Sequence, residues 1–201
     1  MADTSRDSAV ERAMLLFWAR GAEEASYDDI VRTTGLSRRA LYAAWPEKDA
    51  LVHVAIARYR ETVLRPLVAL LDAGGRKGLE RFWDGLERGV RSPGWVGCFL
   101  FRSASGAFRG DPVVVRHFEE HITLLTTAIV RSIREASAAG EIVSGIQPEH
   151  AGLESAAVIG LASTLGAQSG YSKRVQALID AGRSTCGLPR PKAGRTRAVP
   201  A

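Results

Sequence analysis

Residues Ser26 to Leu51 read SYDDIVRTTGLSRRALYAAWPEKDAL, and this stretch predicts a helix-turn-helix. Ser26 and Asp29 have the spacing of a capping box, in which each side chain bonds to the backbone N–H of the other residue. Gly35 follows the first helix and supplies the left-handed backbone conformation of a turn, and Ser37 can cap a second helix. Two short helices joined by a glycine turn form the unit that reads the major groove of DNA.

The second of these helices, Arg38–Ala44, has a basic outer surface. Its periodicity places Leu41 on the inner face and Arg38, Arg39 and Tyr42 on outer positions, where a DNA-reading helix presents side chains to the groove. An ordinary helical hairpin with solvated arginines fits the same pattern, so both interpretations remain open on this stretch alone.

An amphipathic helix precedes the hairpin. Its inward positions follow the i, i+3, i+4, i+7 spacing and are Val10, Ala13, Met14 and Phe17. With this flank, the chain resembles the TetR/AcrR family of bacterial transcriptional regulators over residues 10–58. The resemblance rests on the segments LLFWARG, SYDDIVRTTGLS and RRALYAAWPEKDAL, which occur in the family's order.

The resemblance implies an all-α fold with an amino-terminal three-helix helix-turn-helix DNA-binding domain over residues 1–50 and a helical effector-binding and dimerisation domain over residues 51–187. It implies a ligand-responsive repressor, a cytoplasmic homodimer that binds a palindromic operator in double-stranded DNA and leaves it when a small-molecule effector binds. By position, Arg38 and Arg39 would reach base edges or the phosphates beside them. Ser37, Tyr42 and Lys48 would fix the register on the DNA backbone.

Four positions depart from the family's pattern. Ala25 stands where the family often has Thr, so one phosphate-binding hydroxyl is missing. Ala43 and Ala44 replace larger residues after the recognition tyrosine, and a base contact at Ala43 would therefore be small and apolar, for example with a thymine methyl group. Glu47 stands where Ser or Asp would be a better helix cap.

The net charge of +5 does not by itself indicate DNA binding. Residues 181–201 hold five basic side chains and no acid, so the other 180 residues carry 22 basic and 22 acidic side chains. Residues 1–50 have seven basic and nine acidic side chains. DNA binding must therefore depend on the local placement of Arg38, Arg39 and Lys48 beside helix-end amides. We expect residues 188–201 to form a basic, disordered, solubilising tail, with a DNA-binding arm as the alternative.

The composition is typical of a helical cytoplasmic protein. No apolar run approaches the ~20 residues of a membrane helix, and residues 1–12 lack the apolar centre of a signal peptide, so we expect no membrane contact. Cys98 and Cys186 are too few for a disulfide framework. His117 and His121 have the one-turn spacing of paired metal ligands, but no third ligand stands out. With no nucleophile–base set or phosphate loop, we expect neither an enzyme nor a metal or cofactor.

Beyond the hairpin the pattern stays helical. Prolines and glycines at the segment ends predict helices over Glu47–Leu71, Gly78–Val90, Trp95–Phe108, Asp111–Ala139, Pro148–Gln168 and Tyr171–Cys186. The first of these should bend or end near Pro66.

The segment Gly97-Cys98-Phe99-Leu100 is similar to one that borders the ligand cavity in many family members. We expect a mainly apolar cavity between the second, third and fourth of these helices, and its predicted lining is Trp83, Cys98, Phe99, Arg102 and His121. A filled core with no effector is the alternative. Cys98 would be a redox or electrophile sensor if Arg102 stabilised its thiolate, and a small packed residue otherwise.

The helix Pro148–Gln168 is rich in small residues, which allow close helix approach. The resemblance implies a four-helix dimer interface here, and we expect Gly152, Ala156 and Gly160 to form it. Burial inside one subunit is the alternative. A further functional alternative is a family-like protein that acts through protein contacts without an effector or without DNA, although the basic recognition helix argues against a loss of DNA binding.

Overall fold

The computed structural model describes residues 2–189, and over that range it contains helices and no strand, which confirms the expected all-α fold. The helices are α1 (Ala2–Arg20), α2 (Tyr27–Thr34), α3 (Arg38–Ala44), α4 (Lys48–Tyr59), α5 (Arg65–Ala69), α6 (Gly75–Val90), α7 (Phe99–Ser105), α8 (Pro112–Ala138), α9 (Pro148–Ser169) and α10 (Lys173–Thr185).

The helix-turn-helix forms through the local signals that its sequence carries. The Ser26 side chain accepts a hydrogen bond from the Asp29 amide, and the Asp29 carboxylate accepts one from the Ser26 amide, so the capping box is complete. Gly35 ends α2 in the left-handed region at φ 74°, and Ser37 caps α3 by accepting from the Ala40 amide. Because these bonds are local, the hairpin follows from a few residues.

Two clusters of buried side chains organise the helices. The first joins α1–α4, which we call the helix-turn-helix domain, to Phe99 and Leu100 of α7 and Val114 of α8. The second joins α5, α6, α8, α9 and α10 around side chains such as Phe82 and Ile129. Helix α4 packs in the first cluster along its length, so this cluster extends past residue 50.

The segment predicted as one helix over Glu47–Leu71 is helical throughout but not uniform. A π-helical turn over Arg60–Leu64 follows α4, and a 3₁₀ turn over Leu70–Ala73 follows α5. Pro66 lies in the first turn of α5, where its missing N–H removes a bond to the preceding turn. The wider π turn directly before it accommodates that loss.

The predicted helix Trp95–Phe108 begins four residues late, at Phe99. Gly97 has a φ of +83°, which a helix does not permit, and Cys98 is extended. A Cβ atom on Gly97 would lie 2.3 Å from the Ser163 carbonyl oxygen of α9. This close backbone approach holds residues 95–98 out of the helix, and it depends on a neighbour that sequence periodicity does not reveal.

Helices α9 and α10 complete the second cluster. Cys186 and Leu188, just beyond α10, are buried in it, and Leu188 lies within the segment predicted as a tail. Residues 190–201 of that predicted tail lie outside the described residues. No helix within the described range 2–189 combines the length and apolar character needed to cross a membrane.

We predict that Gly182→Ala destabilises the protein, because the added Cβ would lie 2.1 Å from Cη2 of Trp83, which is fully buried. Overpacking of this kind costs about 1–3 kcal/mol of unfolding free energy. Gly89→Ala is the matched control, since a Cβ there meets no atom within 4 Å and Gly89 has no positive φ. Urea denaturation should show a loss for Gly182→Ala and an unchanged or slightly higher stability for Gly89→Ala. Equal stabilities would contradict the close contact between α10 and α6.

Candidate nucleic-acid interface and ligand cavity

Helices α2 and α3 present one continuous outer surface. Leu41 is buried beneath α3, whereas Ser37, Arg38, Arg39 and Tyr42 are exposed. Tyr42 packs on Tyr27 of α2 with the ring centroids 5.1 Å apart, which fixes the second helix against the first. Four of the five residues predicted to contact DNA therefore lie together on this surface.

The two arginines of α3 differ in their surroundings. Arg38 forms an ion pair with Asp28 at the start of α2, and both side chains are more than half exposed. For Arg39, no hydrogen bond or ion pair is found to any residue between 6 and 189. A phosphate approaching Arg38 must therefore compete with the Asp28 carboxylate, whereas a phosphate approaching Arg39 meets no such competitor among the described residues.

Lys48 is positioned differently from the prediction. Its Nζ donates hydrogen bonds to the carbonyl oxygens of Glu23 and Ala25, at 3.2 and 3.3 Å. These carbonyls belong to the loop between α1 and α2, and they take two of the three N–H donors of an ammonium group that was expected to face the DNA backbone. Lys48 thereby ties α4 to that loop, a contact over more than 20 residues that local sequence does not indicate.

Asp29 anchors the amino-terminal end of α2. Its carboxylate accepts hydrogen bonds from the Ser26 side chain and backbone and from Arg20 and Arg32. The hydrogen bonds from Ser26, with smaller contributions from the two arginines, lower the pKa of Asp29 to about 2. The carboxylate is therefore ionised at neutral pH, in the form that accepts the hydrogen bonds from Ser26, Arg20 and Arg32.

A cavity of about 280 Å³ lies between the helix-turn-helix domain and the helices that follow it. Helices α1 and α4 contribute Trp18 and Tyr59 to its wall, and the π turn contributes Val63 and Leu64. Helices α6, α8 and α9 contribute the opposite walls, with Phe82, His121 and Ile159 among their residues. The aromatic side chains are Trp18, Tyr59, Phe82 and Trp95.

Of the five predicted effector residues, the structure brings Cys98 and His121 to this cavity. Trp83 points the other way, into the core between α6 and α10. Phe99 and Arg102 line a separate cavity of about 90 Å³ beside the end of α1. Trp18 and Tyr59 were not predicted to line the cavity of about 280 Å³. Their only sequence signal is their position in α1 and α4, the helices that carry the resemblance to regulators.

The titratable groups on the cavity wall are neutral at pH 7. Burial, together with the positive charge of Arg60, lowers the pKa of His121 to about 4. Burial also raises the pKa of the Cys98 thiol and that of the Tyr59 hydroxyl beside it. Arg102 is the smallest of the influences that favour the Cys98 thiolate, and its guanidinium donates to the carbonyl oxygens of Trp18 and Val96. A reactive thiolate would need stronger stabilisation than this.

Direct contacts join the cavity to the helix-turn-helix domain. The Trp18 indole N–H donates a 2.7 Å hydrogen bond to the Gly97 carbonyl, directly before Cys98. Arg102 donates a 2.9 Å bond to the Trp18 carbonyl near the end of α1. Trp18 also packs edge-on against Tyr59, with the centroids 5.0 Å apart. Whatever occupies the cavity therefore touches side chains of α1 and α4.

The small residues of α9 face the interior of the subunit. A Cβ on Gly152 would lie 2.9 Å from Val130 of α8, and one on Gly160 would lie 2.5 Å from Phe101 of α7. Ala156 is half-buried against the second cluster. The opposite, exposed face of α9 instead presents Leu153, Ala157 and Leu161 at i, i+4 and i+8.

The paired histidines of α8 have separate environments. His117 contacts the guanidinium of Arg60, whereas His121 faces the cavity. Within the part of the chain that the structure describes, no group of three His, Cys, Asp or Glu side chains is arranged to hold a metal ion.

Comparison with known proteins adds independent findings. The family model described as "Bacterial regulatory proteins, tetR family" matches residues 9–55. The chain is 41% identical over 54 residues to the HTH-type transcriptional repressor ComR of Escherichia coli (strain K12), a segment covering 27% of this chain and 26% of ComR. It is 28% identical over 137 residues to the uncharacterized HTH-type transcriptional regulator YezE of Bacillus subtilis (strain 168), covering 66% of this chain and 70% of YezE. The match to ComR thus spans about a quarter of that protein.

The fold is similar to that of solved regulators. A cysteine-substituted mutant of the TetR family transcriptional regulator CifR, complexed with 26-bp double-strand operator DNA, aligns with a TM-score of 0.72 at 22% identity. The alignment covers 91% of this chain and 96% of the CifR chain. It therefore extends beyond the helix-turn-helix domain into the helices around the cavity.

We predict that Lys48→Met lowers the free energy of unfolding by about 1 kcal/mol, because the substitution keeps most of the apolar stem but removes the donor to two loop carbonyls. Lys77→Met is the matched control, since Lys77 is an exposed residue of α6 and should change stability by less than about 0.5 kcal/mol. Urea denaturation measures both. If Lys48→Met is as stable as the control, Lys48 does not tie α4 to the α1–α2 loop.

Proposed function

Since this chain belongs to the TetR family of bacterial regulatory proteins, we propose that it binds operator DNA as a homodimer and represses transcription until a small molecule enters its cavity. The resemblance drawn from its amino-terminal segments is confirmed, and with it the expectation that the chain is not an enzyme. Repression, dimerisation and ligand response are parts of the proposal, and the regulator would act in the cytoplasm.

The observation that carries the DNA-binding proposal is the exposed, basic start of α3. Arg38 and Arg39 occupy its first turn, which is the part of a recognition helix that enters the major groove. Ser37 and Tyr42 are exposed on the same surface and would contact the DNA backbone. Lys48 would contribute through its position at the start of α4, where unpaired helix amides favour phosphate, more than through its occupied ammonium group.

Residues 1–50 carry more acidic than basic side chains, so their affinity for DNA would depend on where the charges lie. Asp28 lies beside Arg38, so it withdraws that arginine from DNA and repels phosphates near the start of α2. Both effects weaken binding to any DNA sequence. The Asp28–Arg38 pair would thus limit nonspecific binding while leaving Arg39 to engage directly.

The experiment is a salt titration of binding to the DNA that flanks the gene. A palindromic site there should be bound with an affinity that falls steeply as salt increases, because each neutralised phosphate contributes about 0.9 to the slope of log K against log salt. Absence of binding to flanking DNA at low salt would favour the alternative of a protein that acts through protein contacts. In cells, loss of the gene should raise transcription from a bound promoter.

Substitutions at Arg39 and Asp28 should change operator affinity in opposite directions. Arg39→Ala should weaken binding by about 1–3 kcal/mol through the loss of a base or phosphate contact. Asp28→Asn should tighten binding, most clearly to nonspecific DNA, because it frees Arg38 and removes a repelling charge. Arg65→Ala, an exposed cation of α5, is the control and should have no effect. Equal affinities for Arg39→Ala and the control would overturn the assignment of α3.

The dimer would form through the exposed face of α9 and not through its glycines. Leu153 and Leu161 are 62% and 51% exposed, a large apolar exposure on one helix face. Ala177 and Ala181 of α10 are exposed small residues that allow close helix approach. A two-fold partner on this face would bury these leucines and present two recognition helices about one DNA turn (~34–36 Å) or somewhat more apart.

We predict that Leu161→Arg yields monomers with weak operator affinity, because it places a charge in the apolar face. Leu15→Arg is the matched control: Leu15 is 49% exposed but lies on α1. Sedimentation at micromolar concentration should show a monomer for Leu161→Arg and a dimer for Leu15→Arg. A wild-type monomer, or a Leu161→Arg dimer, would refute this interface.

A further inference from the structure

The cavity between the helix-turn-helix domain and α6, α8 and α9 carries no charge on its wall. Its lining includes neither Asp, Glu, Lys nor Arg, and its histidine is neutral at pH 7. The charge of Arg60 reaches His121, but Arg60 is already paired with Glu120, so a charged ligand would lose its hydration without gaining a free counter-ion. The cavity therefore discriminates against carboxylates and ammonium ions.

Several polar side chains lie on the wall, among them the Trp95 indole and the Tyr59 hydroxyl, which lies beside the Cys98 thiol. Trp18 and Ser92 donate to the carbonyl oxygens of Gly97 and Gly89, at 2.7 and 2.6 Å. By contrast, the side chains of His121 and Ser163 have no hydrogen-bond partner within residues 6–189, although both face the cavity. His121 is partly buried, and its neutral imidazole, which has one acceptor and one donor nitrogen, can present the acceptor to the apolar space.

The size and the walls of the cavity restrict the ligand further. A cavity of about 150 Å³ in another protein holds one benzene ring. A volume of about 280 Å³ is nearly twice that, which corresponds to two fused rings. The aromatic side chains Trp18, Tyr59, Phe82 and Trp95 favour a flat ligand, because ring edges and faces attract one another.

We propose that the cavity binds an uncharged ligand of about two fused aromatic rings whose single O–H or N–H group donates a hydrogen bond to His121. This inference rests on the proposed function, because it names the chemical class of the effector. The ligand would lie against Trp18 and Tyr59, so it would contact α1 and α4 directly.

Three matched probes test the proposal on the wild-type protein by calorimetry in the absence of DNA. 2-Naphthol has the rings and the donor, naphthalene lacks the donor, and 2-naphthoate carries a negative charge. We expect 2-naphthol to bind about fivefold to tenfold more tightly than naphthalene, the value of one hydrogen bond to a buried acceptor, and 2-naphthoate to bind least. Equal binding of 2-naphthol and naphthalene, stronger binding of 2-naphthoate, or no binding of any probe would overturn the proposal.

The variant His121→Leu assigns the hydrogen bond. It should abolish the preference for 2-naphthol over naphthalene while naphthalene still binds, whereas His150→Leu, an exposed histidine of α9, should keep the preference. A preference that survives in a folded His121→Leu overturns the role of His121. If His121→Leu fails to fold, His121→Gln, which retains an acceptor, should keep the preference, and its loss there would count against the proposal.

Operator binding in the presence of 2-naphthol separates this inference from the proposed function. Tight, selective binding of 2-naphthol with unchanged operator affinity would support the ligand class and contradict ligand-controlled repression. Operator binding without any probe binding would leave the regulator intact and overturn the ligand class. The two proposals therefore fail through different measurements.

Discussion

The hydrogen bond from the Trp18 indole to the Gly97 carbonyl joins the helix-turn-helix domain to the segment that packs against α9. Trp18 belongs to α1, Gly97 precedes the helix that packs beneath the helix-turn-helix domain, and the Gly97 backbone lies against α9. Only glycine fits there, because of both its φ of +83° and the closeness of the Ser163 carbonyl. A side chain at residue 97 would collide with the Ser163 carbonyl and force this segment away from α9.

The sequence predicted the helix-turn-helix well because its determinants are local. A capping box, a glycine turn and a second cap each involve residues within four positions, and all three are present in the structure. The extended segment at Gly97 escaped prediction because it depends on α1 and α9, far away in the chain. Likewise, the small size of Gly152 and Gly160 indicated close helix approach, but not that α8 and α7 of the same subunit are the neighbours.

The residues of the candidate site were harder to predict, because the sequence does not show what an inward side chain meets. Periodicity shows which side chains of a helix point inward, but an inward side chain can meet either a void or another helix. Trp83 meets Gly182 and fills core, whereas His121, equally inward by pattern, faces the cavity. The same limit applies to Lys48, whose charge suggested phosphate although its nearest acceptors are two carbonyls of the chain itself.

A ligand in the cavity can affect DNA only through its different affinity for two conformations of the protein. The wall is built partly by Trp18 and Tyr59, so any shift of α1 and α4 changes the shape that the ligand occupies. In the proposed dimer, an operator that fixed the position of two recognition helices would, by reciprocity, change ligand affinity by the same factor. The same side chains of the wall would therefore both contact the ligand and move with α1 and α4. No further residues would be needed to couple the ligand to DNA binding.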